Sequence, residues 1–150
     1  MKKIILLSLS VLGGLLAFAQ KTSPVKWTFT SKKLTNDVYE VRLKASIESG
    51  WHMYSQSIPD GGPIRTTFKF SQDPRLALIG KISEPEPIKK YEDAFKMNVT
   101  YFENSVVFIQ KIKVKGSTKF KLHGMLEYMA ASKDKVLPSE NLDFSVSIIL

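Results

Sequence analysis

The chain has 150 residues, no cysteine, and 22 basic against 14 acidic side chains, a formal charge of +8. Without cysteine there is no disulfide, no thiolate nucleophile and no thiolate metal site, so a folded domain of this size is held by packing alone. Removing Lys2 and Lys3 leaves 20 basic side chains against the same 14 acids, an excess that alternation with apolar residues reads as the wet face of strands. A basic docking surface for an acidic partner would need those lysines gathered on one face, which the sequence does not show.

Lys2 and Lys3 precede an apolar run from Ile4 to Leu16 that ends in Ala17-Phe18-Ala19. That pattern predicts a signal peptide over 1–19, cleaved after Ala19, with one domain over 20–150. The run is diluted by Ser8, Ser10, Gly13 and Gly14, which makes it a poor membrane span when roughly 20 apolar residues are needed. The protein is therefore expected in the periplasm or outside the cell, with no stable membrane span after cleavage.

Period-two patterning dominates the chain beyond residue 24. Val25, Trp27 and Phe29 alternate with polar residues, as do Tyr39, Val41, Leu43, Ala45 and Ile47. After the Ser49-Gly50 turn come Trp51-His52-Met53-Tyr54, and after Pro59-Asp60-Gly61-Gly62-Pro63 come Ile64, Thr66, Phe68 and Phe70. Leu76 to Ile82 is a shorter apolar stretch, and Glu84-Pro85-Glu86-Pro87 reads as an edge or loop whose acids keep it soluble. Tyr91 to Met97 looks irregular.

A long strand then carries Val106, Phe108, Ile112 and Val114 inward, with Gln110 out of pattern on the same face. Its partner carries Phe120, Leu122, Leu126 and Tyr128, with Gly124 between them, and Leu142, Phe144, Val146 and Ile148 form the last strand. Seven or eight short strands without a helix predict an all-β, immunoglobulin-like β-sandwich of two antiparallel sheets, with a small barrel as the alternative.

Few side chains could carry chemistry. His52 and His123 stand apart on separate strands, and Met53, Met97, Met125 and Met129 form no tight cluster. No metal site is expected from them, and no cofactor. No G-x-S-x-G or S-x-x-K motif marks a serine nucleophile. An enzyme is not expected, and nothing suggests a nucleic-acid partner.

Several blocks in order resemble the amino-terminal domain of the thiol:disulfide interchange protein DsbD. They are Val25-Lys26-Trp27, Gly50-Trp51-His52-Met53-Tyr54-Ser55, Gly61-Gly62-Pro63 with Thr66, Glu84-Pro85-Glu86-Pro87, Glu92-Asp93-Ala94-Phe95, Gly124-Met125-Leu126-Glu127-Tyr128-Met129 and Leu137-Pro138. The resemblance implies an immunoglobulin-like domain in the periplasm that passes electrons through a cysteine pair. It puts Ala131 and Val136 at the two cysteine positions, where neither side chain can attack a disulfide. It also makes Phe95 the aromatic of a cap loop, sets Lys96 where the family often has glycine, and makes His52 and Tyr54 neighbours of the lost pair.

The implied function is a non-catalytic docking module whose surface is His52, Tyr54, Phe95, Ala131 and Val136. Its partner would be a periplasmic thioredoxin-like protein or another envelope protein. The alternative is a structural envelope sandwich that binds glycan through exposed aromatics, or another β-domain by strand addition, unrelated to thiol exchange.

Overall fold

A computed structural model describes residues 22–116 and 119–149. The predicted signal peptide at 1–19 lies outside the described residues. Eleven strands run in the order β1 (Val25–Lys33), β2 (Val38–Ile47), β3 (Trp51–Tyr54), β4 (Thr67–Phe70), β5 (Leu76–Ser83), β6 (Ile88–Glu92), β7 (Met97–Phe102), β8 (Ser105–Val114), β9 (Phe120–Tyr128), β10 (Ala130–Ser132) and β11 (Glu140–Ile148). All pairings are antiparallel, and the described residues contain no helix.

The strands form three ladders, β1-β2-β8-β5, β10-β3-β7-β6 and β11-β9-β4. The sandwich is as expected, but the layer facing β1-β2-β8-β5 is divided. The division falls at Met129, between β9 and β10, where one length of chain exchanges β4 and β11 for β3 as partners. Two backbone bonds stitch the parts together, from Tyr54 N to Met129 O at 3.1 Å and from Thr66 N to Ser55 O at 3.0 Å.

Alternation decides which residues meet between the layers. Tyr39, Val41, Leu43, Phe108 and Ile112 of one layer are buried against Leu122, Leu126, Tyr128, Phe144 and Val146 of the other. Trp27 lies 6.0 Å from Phe68 and 5.6 Å from Tyr128, and Phe29 lies 5.0 Å from Phe144, ring to ring across the interior. Burying each large side chain of this kind contributes about 1.5–3 kcal/mol.

Gln110, the out-of-pattern residue, is buried with 2% exposure. Its Nε2 donates to the carbonyls of Lys111 at 2.8 Å and Ile79 at 3.2 Å, where the β5–β8 register shifts between Ile79 and Ser83. The amide thus bonds to backbone carbonyls beside the irregular stretch of the ladder.

The segment from Tyr91 to Met97, expected to be irregular, instead completes a hairpin. β6 pairs with β7 from Ile88↔Tyr101 to Glu92↔Met97, and only residues 93–96 form the loop. Alternation is hidden in β6 because Lys89, Lys90 and Tyr91 all face solvent at a sheet edge. Glu84 also differs from expectation. It is partly buried and its Oε2 accepts the Gln56 backbone N–H at 3.0 Å, so it ties the loop after β5 to the loop after β3. Burial pushes its carboxyl above the ordinary value.

Candidate functional site

Of the five residues singled out from the sequence, His52, Tyr54 and Ala131 lie on the β10-β3-β7-β6 ladder, Phe95 lies in its hairpin loop, and Val136 bridges to Ala131 from outside the named strands. Ala131 sits opposite His52 in the β10–β3 register. On its other side it forms an isolated antiparallel bridge with Val136. The flanking bonds run from Ser132 N to Lys135 O at 2.7 Å and from Leu137 N to Ala130 O at 3.0 Å. This pattern makes 131 and 136 a non-hydrogen-bonded pair, the arrangement that brings opposing side chains closest. Ala131 is fully buried and Val136 is 40% exposed, so the pair has one wall inside and one at the surface.

Beneath Ala131 is a small apolar cluster, separate from the main core, of Tyr54, Ile58, Val99, Tyr101 and Ala131 with Phe95, Met97 and Met129 against it. Aromatic edges order it. The His52 ring stands perpendicular to Tyr54 at 5.3 Å and lies 4.6 Å from Tyr101, while Phe95 meets Tyr54 edge-on at 6.1 Å. Phe95 thereby fastens the β6–β7 loop to the cluster through Tyr54.

Glu92, absent from the residues chosen by sequence, is the polar centre. The Tyr54 hydroxyl donates to its carboxylate, at 2.8 Å to Oε1 and 2.9 Å to Oε2. His52 Nε2 lies 3.9 Å from Oε1, buried and without a hydrogen-bond partner among the described residues. Burial raises the Tyr54 phenol pKa, and the Glu92 hydrogen bond and charge add to the shift. Burial lowers the His52 pKa, against a smaller opposing pull from Glu92. His52 and Glu92 are forty residues apart, so no local spacing could join them; only recognition of β6 would have.

Lys96 has φ +53°, a left-handed conformation that glycine adopts without cost. The loop therefore holds a left-handed residue with a side chain in place. Beside the pair, a cleft of about 600 Å³ is lined by His52, Glu92, Tyr101, Glu103, Lys90, Lys135 and Val136, among others. Charges of both signs edge it, and no thiol is available anywhere in the sequence.

The sequence profile described as thiol:disulfide interchange protein DsbD, N-terminal, matches residues 19–133. The chain belongs to the DsbD amino-terminal domain family. The match takes in the whole β10-β3-β7-β6 ladder and Ala131, and stops before Val136. The reduced DsbD amino-terminal domain of Neisseria meningitidis is 18% identical, with a TM-score of 0.54 over 82% of this chain and 86% of that one.

The amino-terminal periplasmic domain of ScsB from Proteus mirabilis is 19% identical, with a TM-score of 0.54 over 83% of this chain. The chain spans 44% of that structure. A third structure, the complex between the DsbD and PilB amino-terminal domains of Neisseria meningitidis, gives 15% identity and a TM-score of 0.52, covering 84% and 87% of the two chains. At these identities the likeness carries the shared fold. A comparison with curated proteins finds no match.

Proposed function

We propose that the chain is a non-enzymatic docking domain of the periplasm, which holds a protein partner at His52, Tyr54, Phe95, Ala131 and Val136 without exchanging electrons. The observation that carries this reading is the Ala131↔Val136 bridge. The register sets 131 and 136 side by side as a non-hydrogen-bonded cross-strand pair, with Tyr54 in the same apolar cluster as Ala131 and Phe95 edge-on to Tyr54, while the sulfur that electron transfer requires is missing. A DsbD amino-terminal domain of the same fold forms a complex with the PilB amino-terminal domain, which supports a protein as the occupant, and the family resemblance favours a thioredoxin-like one. The domain is read as residues 20–150, exported by a signal peptide cleaved after Ala19.

The aromatic residues argue against a glycan reader. Tyr39 and Tyr101 are buried, and Trp27 and Trp51 pack against the core, so they form no exposed row. Photo-crosslinking from position 136 in envelope extracts tests the reading. Capture of a thioredoxin-like protein, lost in Phe95→Ala while thermal unfolding stays cooperative, is the expected result. Capture that is indifferent to Phe95→Ala, or no capture at all, would refute it.

A further inference from the structure

The strand register distributes charge unevenly over the molecule. On the outer face of the β1-β2-β8-β5 sheet stand Lys26, Lys32, Arg42, Lys44, Lys111 and Lys113. Lys81 of β5 joins them by alternation with Ser83, which pairs with Ile109 on the same face. Against these seven cations the face has one carboxylate, Glu40, already paired with Arg42. The remaining described residues carry twelve basic and thirteen acidic side chains. The positive excess of the folded domain therefore belongs to a single sheet face.

We infer that this face is a contact surface for an anionic lipid bilayer. Side chains on one face repeat about every 6.8 Å along a strand and about 4.8 Å between strands, spacings below the roughly 8 Å screening length at physiological salt, so neighbouring cations add their fields. Among the described residues, Lys26, Lys32, Lys44, Lys81 and Lys111 make no ion pair, and Asp37 reaches only Lys113, at 3.2 Å.

The cations spread in two dimensions over four pleated strands, which matches a plane of headgroups better than one linear chain. No aromatic side chain stands on the face, so it lacks the stacking platforms that single-stranded nucleic acids use. Ile79, 40% exposed, sits beside Lys111 and offers an apolar contact at the headgroup level. The Ala131↔Val136 bridge belongs to the other layer, so a protein partner and a membrane can be held together.

Sedimentation with vesicles of phosphatidylcholine containing about 30% phosphatidylglycerol, compared with pure phosphatidylcholine, reads this out, because each cation near an anionic surface adds to binding. Purified protein is expected to bind the anionic vesicles and to be released as salt rises. The triple variant Lys26→Glu/Lys44→Glu/Lys111→Glu is expected to lose at least tenfold in affinity. The control Lys69→Glu/Lys89→Glu/Lys121→Glu makes the same change in net charge on other faces and should retain most of the binding.

All three proteins begin at the same residue, so any contribution of the segment before residue 22 cancels. Circular dichroism and thermal unfolding verify the fold, and Lys26→Gln/Lys44→Gln/Lys111→Gln replaces the glutamate set if that set unfolds. Equal losses in face and control variants, equal binding to neutral vesicles, or tighter binding to single-stranded DNA than to vesicles would overturn the inference.

Discussion

Ala131 and Val136 oppose each other across a two-bond antiparallel bridge, one fully buried and the other 40% exposed. A disulfide needs β-carbons about 3.5–4.5 Å apart, a separation that non-hydrogen-bonded antiparallel pairs approach. Ala131→Cys/Val136→Cys is therefore expected to oxidise in air to an intramolecular disulfide, readable by mass and by thiol titration. The loop closed is short, so the bridge should add no more than about 2 kcal/mol to stability. Persistent free thiols in the folded double variant would show that the family's pair geometry has been lost.

Gly124 packs its backbone against the ring of Phe144. A β-carbon there would clash with Phe144 Cζ and lie 2.7 Å from the Lys69 carbonyl oxygen. Overpacking of this kind costs about 1–3 kcal/mol, and urea unfolding of Gly124→Ala should show a loss in that range. Phe144→Leu in the same chain should recover only part of it, because the Lys69 carbonyl is backbone and cannot move aside. A full recovery would mean that the ring alone sets the limit.

His52 gives the fold a sign-definite pH dependence. Burial holds its folded-state pKa below the ordinary 6.5, so the unfolded chain takes up the proton first as pH falls. The contribution is fully present above about 6.5 and is lost as pH drops through the lower folded value. Glu84, raised by burial, acts in the opposite sense, because the folded chain takes up its proton before the unfolded chain does, while Asp73, held at about 2 by its hydrogen bonds to Arg75, titrates below this range. Chemical unfolding between pH 7 and 5 should show stability falling in the native chain and a flatter profile in His52→Phe, which keeps a ring against Tyr54 and Tyr101. An unchanged slope would remove His52 as its source.

The strands that alternate cleanly between two environments were legible from sequence, whereas Ala131, Val136, Phe95, His52 and Tyr54 were singled out through the family resemblance and not through any pattern of their own. Residues 39–47 and 106–114 each have one wet and one buried face, and period two records that difference. β6 was not legible, because an edge strand with exposed Lys89, Lys90 and Tyr91 has no buried face to mark it. Missing β6 meant missing Glu92, whose role depends on a register that brings it under Tyr54. The gathering of lysines on one sheet face was hidden for the same reason, since facing is local but gathering requires knowing that β1, β2 and β8 are neighbours.

Gln110 should prove structural. Its amide donates to Lys111 O at 2.8 Å and Ile79 O at 3.2 Å beside the irregular part of β5. Gln110→Leu keeps the volume but strands those carbonyls, at a cost of about 1–3 kcal/mol. Hydrogen exchange should localise the loss to β5, whose amides are expected to exchange faster while those of β1 and β2 hold. Uniform loosening of the whole sheet would contradict this account.

Lys96 separates loop shape from loop chemistry. Its left-handed φ of +53° costs a non-glycine residue about 1–2 kcal/mol, whereas glycine would release that strain and add about 0.4–1 kcal/mol of unfolded-chain entropy. The two effects oppose, so Lys96→Gly should stabilise the fold by between about 0 and 1.6 kcal/mol. Lys96→Val, which tolerates φ above zero poorly, should destabilise the β6–β7 loop and draw Phe95 away from Tyr54. The proposed docking depends on Phe95 covering the Ala131↔Val136 pair, so partner capture should survive Lys96→Gly and weaken in Lys96→Val. If Val is accepted without loss of stability or capture, the left-handed residue does not set the loop.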